Sequence, residues 1–357
     1  MISTNILKGF RPRISWTTMK AILEMNNIPT GNGWDRTIRK LETNVSDNNI
    51  EANINHLKDI YNKHLFISEK AIQIYKLERK IIDTLIEQIK QYNPPSTPFL
   101  KTYPFPLSSE ELRNINYVQE IVKIIDDEDS LKIILCTKRL HVERSPIDTD
   151  KLREETKKDL IEYEKVIGEK RYYIQFFDLI VLSKHKDLIE IRIDVGHNLS
   201  SEEIGEGFLK TKMRFNLLLD NLNTGIKNPL TDRINFFPLI DTLCESNEGK
   251  IVELGFLTDE GSIKNVKMKK GSVDLRKEKF HSAGKKAVDH INAFRLSVRW
   301  DYTFLDKINT DIELVIPGQA TIFNNNVQYI EEIHIKKCFS LDQYNFIFQK
   351  VMNNLEL

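Results

Sequence analysis

Five of the eleven prolines fall between Asn93 and Pro106, in the run Asn-Pro-Pro-Ser-Thr-Pro-Phe-Leu-Lys-Thr-Tyr-Pro-Phe-Pro. Proline fixes φ, lacks an N–H and pushes the preceding residue out of the helical region, so no helix or central strand runs through such a stretch. The residues before it carry helical periodicity, and those after it read as hairpins interspersed with helices. The expected fold is therefore α+β. An N-terminal all-helical domain spans residues 1–92 and a Pro-rich linker spans 93–107. A mixed, mainly antiparallel sheet domain with flanking helices spans 108–357.

In the first part, Ser15 or Thr17 caps a helix running to about Asn27, with Met19, Ile22 and Leu23 at core spacing. The run Pro29-Thr30-Gly31-Asn32-Gly33 is a turn, and Trp34 to Leu41 is a second helix. There Ile38 and Leu41 face inward, while Arg36, Arg39 and Lys40 face outward. Helix, glycine-containing turn and arginine-bearing helix make the outline of a helix-turn-helix, although the turn is longer than usual and an ordinary helical hairpin has the same outline. Residues 1–42 carry a local charge of +4, with Arg11 and Arg13 in a flexible-looking arm. Residues 49–66 and 68–92 are expected to be two further helices. The second carries an apolar stripe through Ile72, Tyr75, Leu77, Ile81, Ile82, Leu85, Ile86 and Ile89, read as core.

Beyond the linker, a helix is expected from Ser108 to Asp127, closed by the acidic run Asp126-Asp127-Glu128-Asp129, which reads as a solvated turn rather than a metal site. Leu131 to Val142 is a strand, and residues 148–168 a charged helix. The clearest β signal is the hairpin 172–182 and 188–195. In it Glu190, Arg192 and Asp194 alternate with Ile189, Ile191, Ile193 and Val195, predicting one wet face. A capped helix follows from Ser200 or Ser201 to Leu222. The segment 223–248 is loop-rich, and 250–257 with 262–268 forms a second hairpin. A helix over 275–291, strands at 293–303, 311–316 and 327–335, and a last helix from Leu341 to Leu355 complete the chain.

The chemistry is marked mostly by what is missing. There is no GxxxxGK[ST], GxGxxG, HExxH or GxSxG pattern. Cys136, Cys244 and Cys338 lie far apart with no CxxC, so neither a zinc site nor a disulfide framework is expected, and a reducing cytoplasm fits. Residues 1–10 have no apolar signal core, and no 18-residue apolar run predicts a membrane span. His197, after Gly196 at a strand end, is the histidine best placed for chemistry. A nuclease core would use Glu190, Asp194 or Glu253, but none is followed by lysine two residues later. No cofactor and no metal are expected.

Lysine and arginine together balance aspartate and glutamate, 52 against 52, so any polyanion must be met by a local patch. The strongest patch is 264–286. Lys264, Lys267, Lys269, Lys270, Arg276, Lys277, Lys279, Lys285 and Lys286 stand there against Asp274 and Glu278, a local balance of +7 with Phe280 and His281 among them. Clustered cations are what backbone phosphates attract, because each neutralised phosphate releases counterions. Interleaved aromatics would permit base stacking on a single strand. The expected function is a nucleic-acid-binding accessory or adaptor protein without its own catalysis. DNA is favoured over RNA, a protein partner subunit is expected, and Arg11, Arg13, Arg36, Arg39 and Lys40 would share in the grip. A setting in bacterial defence or mobile-element biology fits the composition. A divergent metal-dependent nuclease and a protein-only scaffold are the alternatives.

Overall fold

The computed structural model describes residues 2–43, 48–116, 119–196, 199–269, 273–288, 290–304 and 308–355. Four helices lead: α1 (Ile2–Phe10), α2 (Trp16–Met25), α3 (Trp34–Thr43) and α4 (Asn48–Ile67). Then come β1 (Lys70–Lys76), α5 (Arg79–Ile89), and the short helices α6 (Pro98–Thr102) and α7 (Ser109–Arg113). Next are β2 (Gln119–Asp126), β3 (Ser130–Pro146), α8 (Glu154–Asp159), β4 (Ile167–Ser183), β5 (Leu188–Asp194) and α9 (Ser201–Asn221). The rest is β6 (Asp232–Arg233), α10 (Pro238–Glu245), β7 (Lys250–Thr258), β8 (Ile263–Lys267), α11 (Lys279–Lys286), β9 (Ile291–Phe304), β10 (Ile308–Ile316), β11 (Ile333–Lys336) and α12 (Leu341–Asn354). The expected α+β class, with helices leading a mainly antiparallel sheet, is what the chain adopts.

The strands form one sheet in the order β2-β3-β4-β5-β1-β11-β10-β9-β7-β8, with β6 also paired to β1. On one face, the amino-terminal helices, α10 and α12 pack over a large core that includes Phe10, Leu23, Leu65, Ile74, Phe177, Leu239, Leu296 and Ile347. On the other face, α5 and α9 cover the first half of the sheet, with Ile82, Leu85, Phe215 and Leu218 against Leu131, Ile133, Ile180 and Ile189. The second half of that face carries charge rows instead. Lys267, Glu253 and Arg295 make one, and Arg299, Glu313, Asp311 and Lys337 another.

Several local expectations are corrected. The helix expected over 68–92 is a strand followed by a helix. Lys70–Lys76 lies between β5 and β11, buried on both sides, and only Arg79–Ile89 is helical. A strand with both faces covered shows a near-continuous apolar run, which imitates a helical stripe. The helix expected from Ser108 to Asp127 likewise stops at Arg113. Ser108 and Glu111 close a capping box around its first turn. Gln119–Asp126, rich in β-branched residues, then pairs along β3. The charged helix expected over 148–168 shrinks to Glu154–Asp159, with no buried residue to hold a longer one.

The wet face expected on 188–195 is not wet. All seven residues of β5 are buried, and Glu190, Arg192 and Asp194 point under the helices as paired charges. Nor is the amino terminus an arm, since Ile6, Leu7 and Phe10 are fully buried and α1 packs on α3 and α4. Within the proline-rich stretch, Thr97 caps α6 and Phe99 is fully buried, so that segment is docked on the core.

Candidate nucleic-acid interface

The described residues of the basic segment, 264–269 and 273–286, begin in β8 at the edge of the sheet and continue to α11 beside β7. Phe256 of β7 pairs across the ladder with Lys264 of β8, which puts both side chains on one face. His281 of α11 packs edge-on against the Phe256 ring at 5.8 Å, so α11 lies on that same side. Glu278 fixes the start of α11, its carboxylate accepting from the backbone N–H groups of Phe280 (3.1 Å) and His281 (2.6 Å). These amide bonds hold the Glu278 carboxyl below the usual range, and burial lowers the His281 pKa, so His281 anchors the helix as a neutral ring at pH 7.

Around this frame Lys264, Lys269, Lys277, Lys279, Lys285 and Lys286 are exposed, and none has a carboxylate partner among the described residues. Two members of the expected set behave otherwise. Lys267 pairs with Glu253 at 3.0 Å on the opposite face. Arg276 is a structural clamp, paired with Asp274 at 3.0 Å and donating to the carbonyls of Ser246, Glu248 and Gly249. Gly249 sits at φ +59°, and a Cβ there would strike Val298 and Trp300, so the turn that Arg276 ties down tolerates only glycine. Lys270, like His197, lies outside the described residues.

The amino-terminal candidates divide between an exposed and a buried group. Arg36, Arg39 and Lys40 are exposed on the outer side of α3, and Ile38 and Leu41 are buried beneath it, as the spacing predicts. Arg11 spans to Asp35 at 2.7 Å in an exposed pair. Arg13 turns inward. Its guanidinium donates to Asp194 at 2.8 Å and to Ser68 at 3.2 Å, and lies over the Phe177 ring. Since Asp194 is on β5 and α11 lies against β7, four strands separate Arg13 from the α11 lysines, roughly 24 Å at the usual strand spacing.

Arg13 belongs to a buried ionic cluster that sequence reasoning missed. Lys70 Nζ lies 3.7 Å from Asp194 and donates to the Phe177 carbonyl at 2.7 Å. Burial pulls the Asp194 pKa upward, but Arg13 and Lys70 outweigh it and hold the carboxyl far below the usual carboxylate range. Burial brings Lys70 down to about 8 against the pull of Asp194. On the other face of the sheet, Arg139 pairs with fully buried Asp178, which also takes hydrogen bonds from Thr137, Gln119 and the Asp194 amide. The only hint in the sequence is the position of Asp178 within an otherwise apolar run.

The acids a nuclease would use are all engaged internally. Glu190 is held by Arg192 and the Tyr344 hydroxyl, Asp194 by Arg13 and Lys70, and Glu253 by Lys267 and Arg295. In the acidic run, Asp127 accepts from the Asp129 and Ser130 amides and pairs with Lys132, while Asp126 pairs with Lys184. That is a turn built on carboxylate acceptors. Among the described residues no three acidic, histidine or cysteine side chains converge to hold a metal ion. No helix among them is long and apolar enough to cross a membrane. Compared with known protein families, curated proteins and solved structures, the chain matches none.

Proposed function

We propose that the protein is a cytoplasmic nucleic-acid-binding accessory subunit that grips the phosphate backbone through the β8–α11 edge and performs no chemistry of its own. One observation carries this reading: in a chain of zero net charge, Lys264, Lys269, Lys277, Lys279, Lys285 and Lys286 cluster in one segment with no carboxylate partner among the described residues, while Lys267 beside them pairs with Glu253. Unpaired lysines on a rigid strand and helix are suited to a repeating polyanion. The open strand edges and the row Leu209, Met213 and Leu217, exposed on the outer side of α9, support a protein partner.

The test is a charge-reversal variant. Lys264, Lys279, Lys285 and Lys286 are changed together to Glu, while Arg276 is left in place because it holds the fold. Binding to labelled DNA and RNA is followed by anisotropy over a salt series. Each lost phosphate contact removes roughly 0.7 to 0.9 from the slope of log K against log salt. The variant is therefore expected to flatten the slope by about 3 and to weaken binding on the order of 100-fold at low salt. An unchanged slope and affinity would take this edge out of the reading.

A further inference from the structure

We propose that the β8–α11 edge takes single-stranded nucleic acid, with the Phe280 ring as the platform on which a base stacks. This rests on the nucleic-acid reading above and narrows its ligand. Phe280 is 85% exposed, yet it is not on a loose segment. The Glu278 cap fixes its backbone, and the next side chain, His281, is anchored on Phe256. Successive helical residues point about 100° apart, so anchoring His281 inward turns Phe280 outward. The neighbours of Phe280 on the same helix face are Ala283, Gly284 and, at the helix end, Ala287. A Cβ added at Gly284 would meet nothing within 4 Å, so the strip beside the ring is open. The result is a flat apolar strip ending in one aromatic face.

The rim of the strip is cationic. Lys279 and Lys286, seven residues apart, run along one flank, and Lys285 lies beyond His281 on the other. Charge complementarity therefore selects a polyanion as the occupant. The bare ring selects among polyanions, because a duplex keeps its base faces stacked inside, whereas a single strand offers a face at every nucleotide. Stacking tolerates any base, so the contact gives no sequence preference and holds for DNA and RNA alike.

The experiment compares wild type, Phe280→Ala and Phe280→Trp by anisotropy, without Mg²⁺. The probes are labelled oligo-dT and oligo-U of about 16 nucleotides, the upper range of known site sizes, and a duplex of similar length. Phe280→Ala is expected to weaken single-strand binding about 5- to 150-fold, the usual range for one stacked base. The salt slope and the duplex affinity should stay as they were, and Phe280→Trp should retain tight binding. The loss is expected with both single-stranded probes, since the contact holds for DNA and RNA alike. Unchanged single-strand affinity in Phe280→Ala overturns the stacking platform while leaving phosphate binding intact. No binding of any probe by the wild type overturns the nucleic-acid reading itself.

Discussion

Replacing Asp194 with alanine is expected to lower the stability of the protein by about 3–5 kcal/mol, enough to unfold much of it. The carboxylate is fully buried and holds four groups at once: Arg13 at 2.8 Å, the Phe177 amide at 3.0 Å, the Gly196 amide at 3.4 Å and Lys70 at 3.7 Å. Removing it leaves a guanidinium that is only 12% exposed and an ammonium that is not exposed at all, with no countercharge. An unpaired buried charge costs far more than the pair contributes, so the loss is dominated by the groups left behind. Two comparisons separate this from a general effect of truncation. Asp35→Ala breaks only the exposed pair with Arg11 and should cost less than about 1 kcal/mol. Combining Asp194→Leu with Lys70→Met should recover part of the loss, because one stranded cation is then gone. Denaturant unfolding measures all three, and a loss below about 1 kcal/mol for Asp194→Ala would show that this cluster does not tie the helices to the sheet.

The second large effect is on acid stability, through His64. Its ring is buried between Phe10 and Phe339. Burial, reinforced by Arg13 and Lys70 and only partly opposed by Asp194, lowers its pKa from 6.5 to about 3. Between those values the unfolded chain binds a proton that the folded chain refuses. Stability is therefore fully present above about pH 6.5 and falls as the pH drops, by about 1.4 kcal/mol per unit and roughly 3 kcal/mol by pH 4. His64→Leu should abolish most of that slope. His281, shifted in the same direction, is present in both proteins, so the difference between them isolates His64. The Asp194 carboxylate, whose folded pKa is lowered, adds its own loss only below its unfolded value near 3.8. The two windows overlap only between about pH 3.8 and pH 3, so the range above pH 4 reports on His64 without Asp194. Equal slopes for wild type and His64→Leu between pH 6.5 and 4 would remove His64 as the cause.

What could be read in the sequence, and what could not, follows from where water is. The β7–β8 hairpin, and capped amphipathic helices such as α2, α9 and α12, show their period because one side faces solvent. β1 was hidden because both its sides are covered, so Ala71-Ile72-Gln73-Ile74-Tyr75 carries no alternation to read. β5 shows the reverse failure. Glu190, Arg192 and Asp194 alternate perfectly with isoleucine, and alternation alone cannot tell a solvated charge from one sealed against a partner far away in sequence. The same limit applies to the candidate interface. The density of lysine in 264–286 was legible, but the structural duty of Arg276 and the pairing of Lys267 with Glu253 depend on strands brought together only by folding.

The position of β1 also bears on how the sheet is assembled. It is the first described strand to be made, yet among the described residues it alone joins β5 to β11, so without it the sheet falls into two pieces. The pieces on either side consist of neighbouring or nearly neighbouring segments, joined by short loop closures that are fast and local. β1 can pair with β5 and β6 once they exist, but its pairing with β11, the last described strand in the sequence, must wait until that strand has emerged. The free edge of β1 is a seam that one half of the sheet offers to the other. The slowest step of folding is then expected to be the closing of that seam by β11, the ladder whose partners lie farthest apart in the sequence, as in Lys70 opposite Ile335.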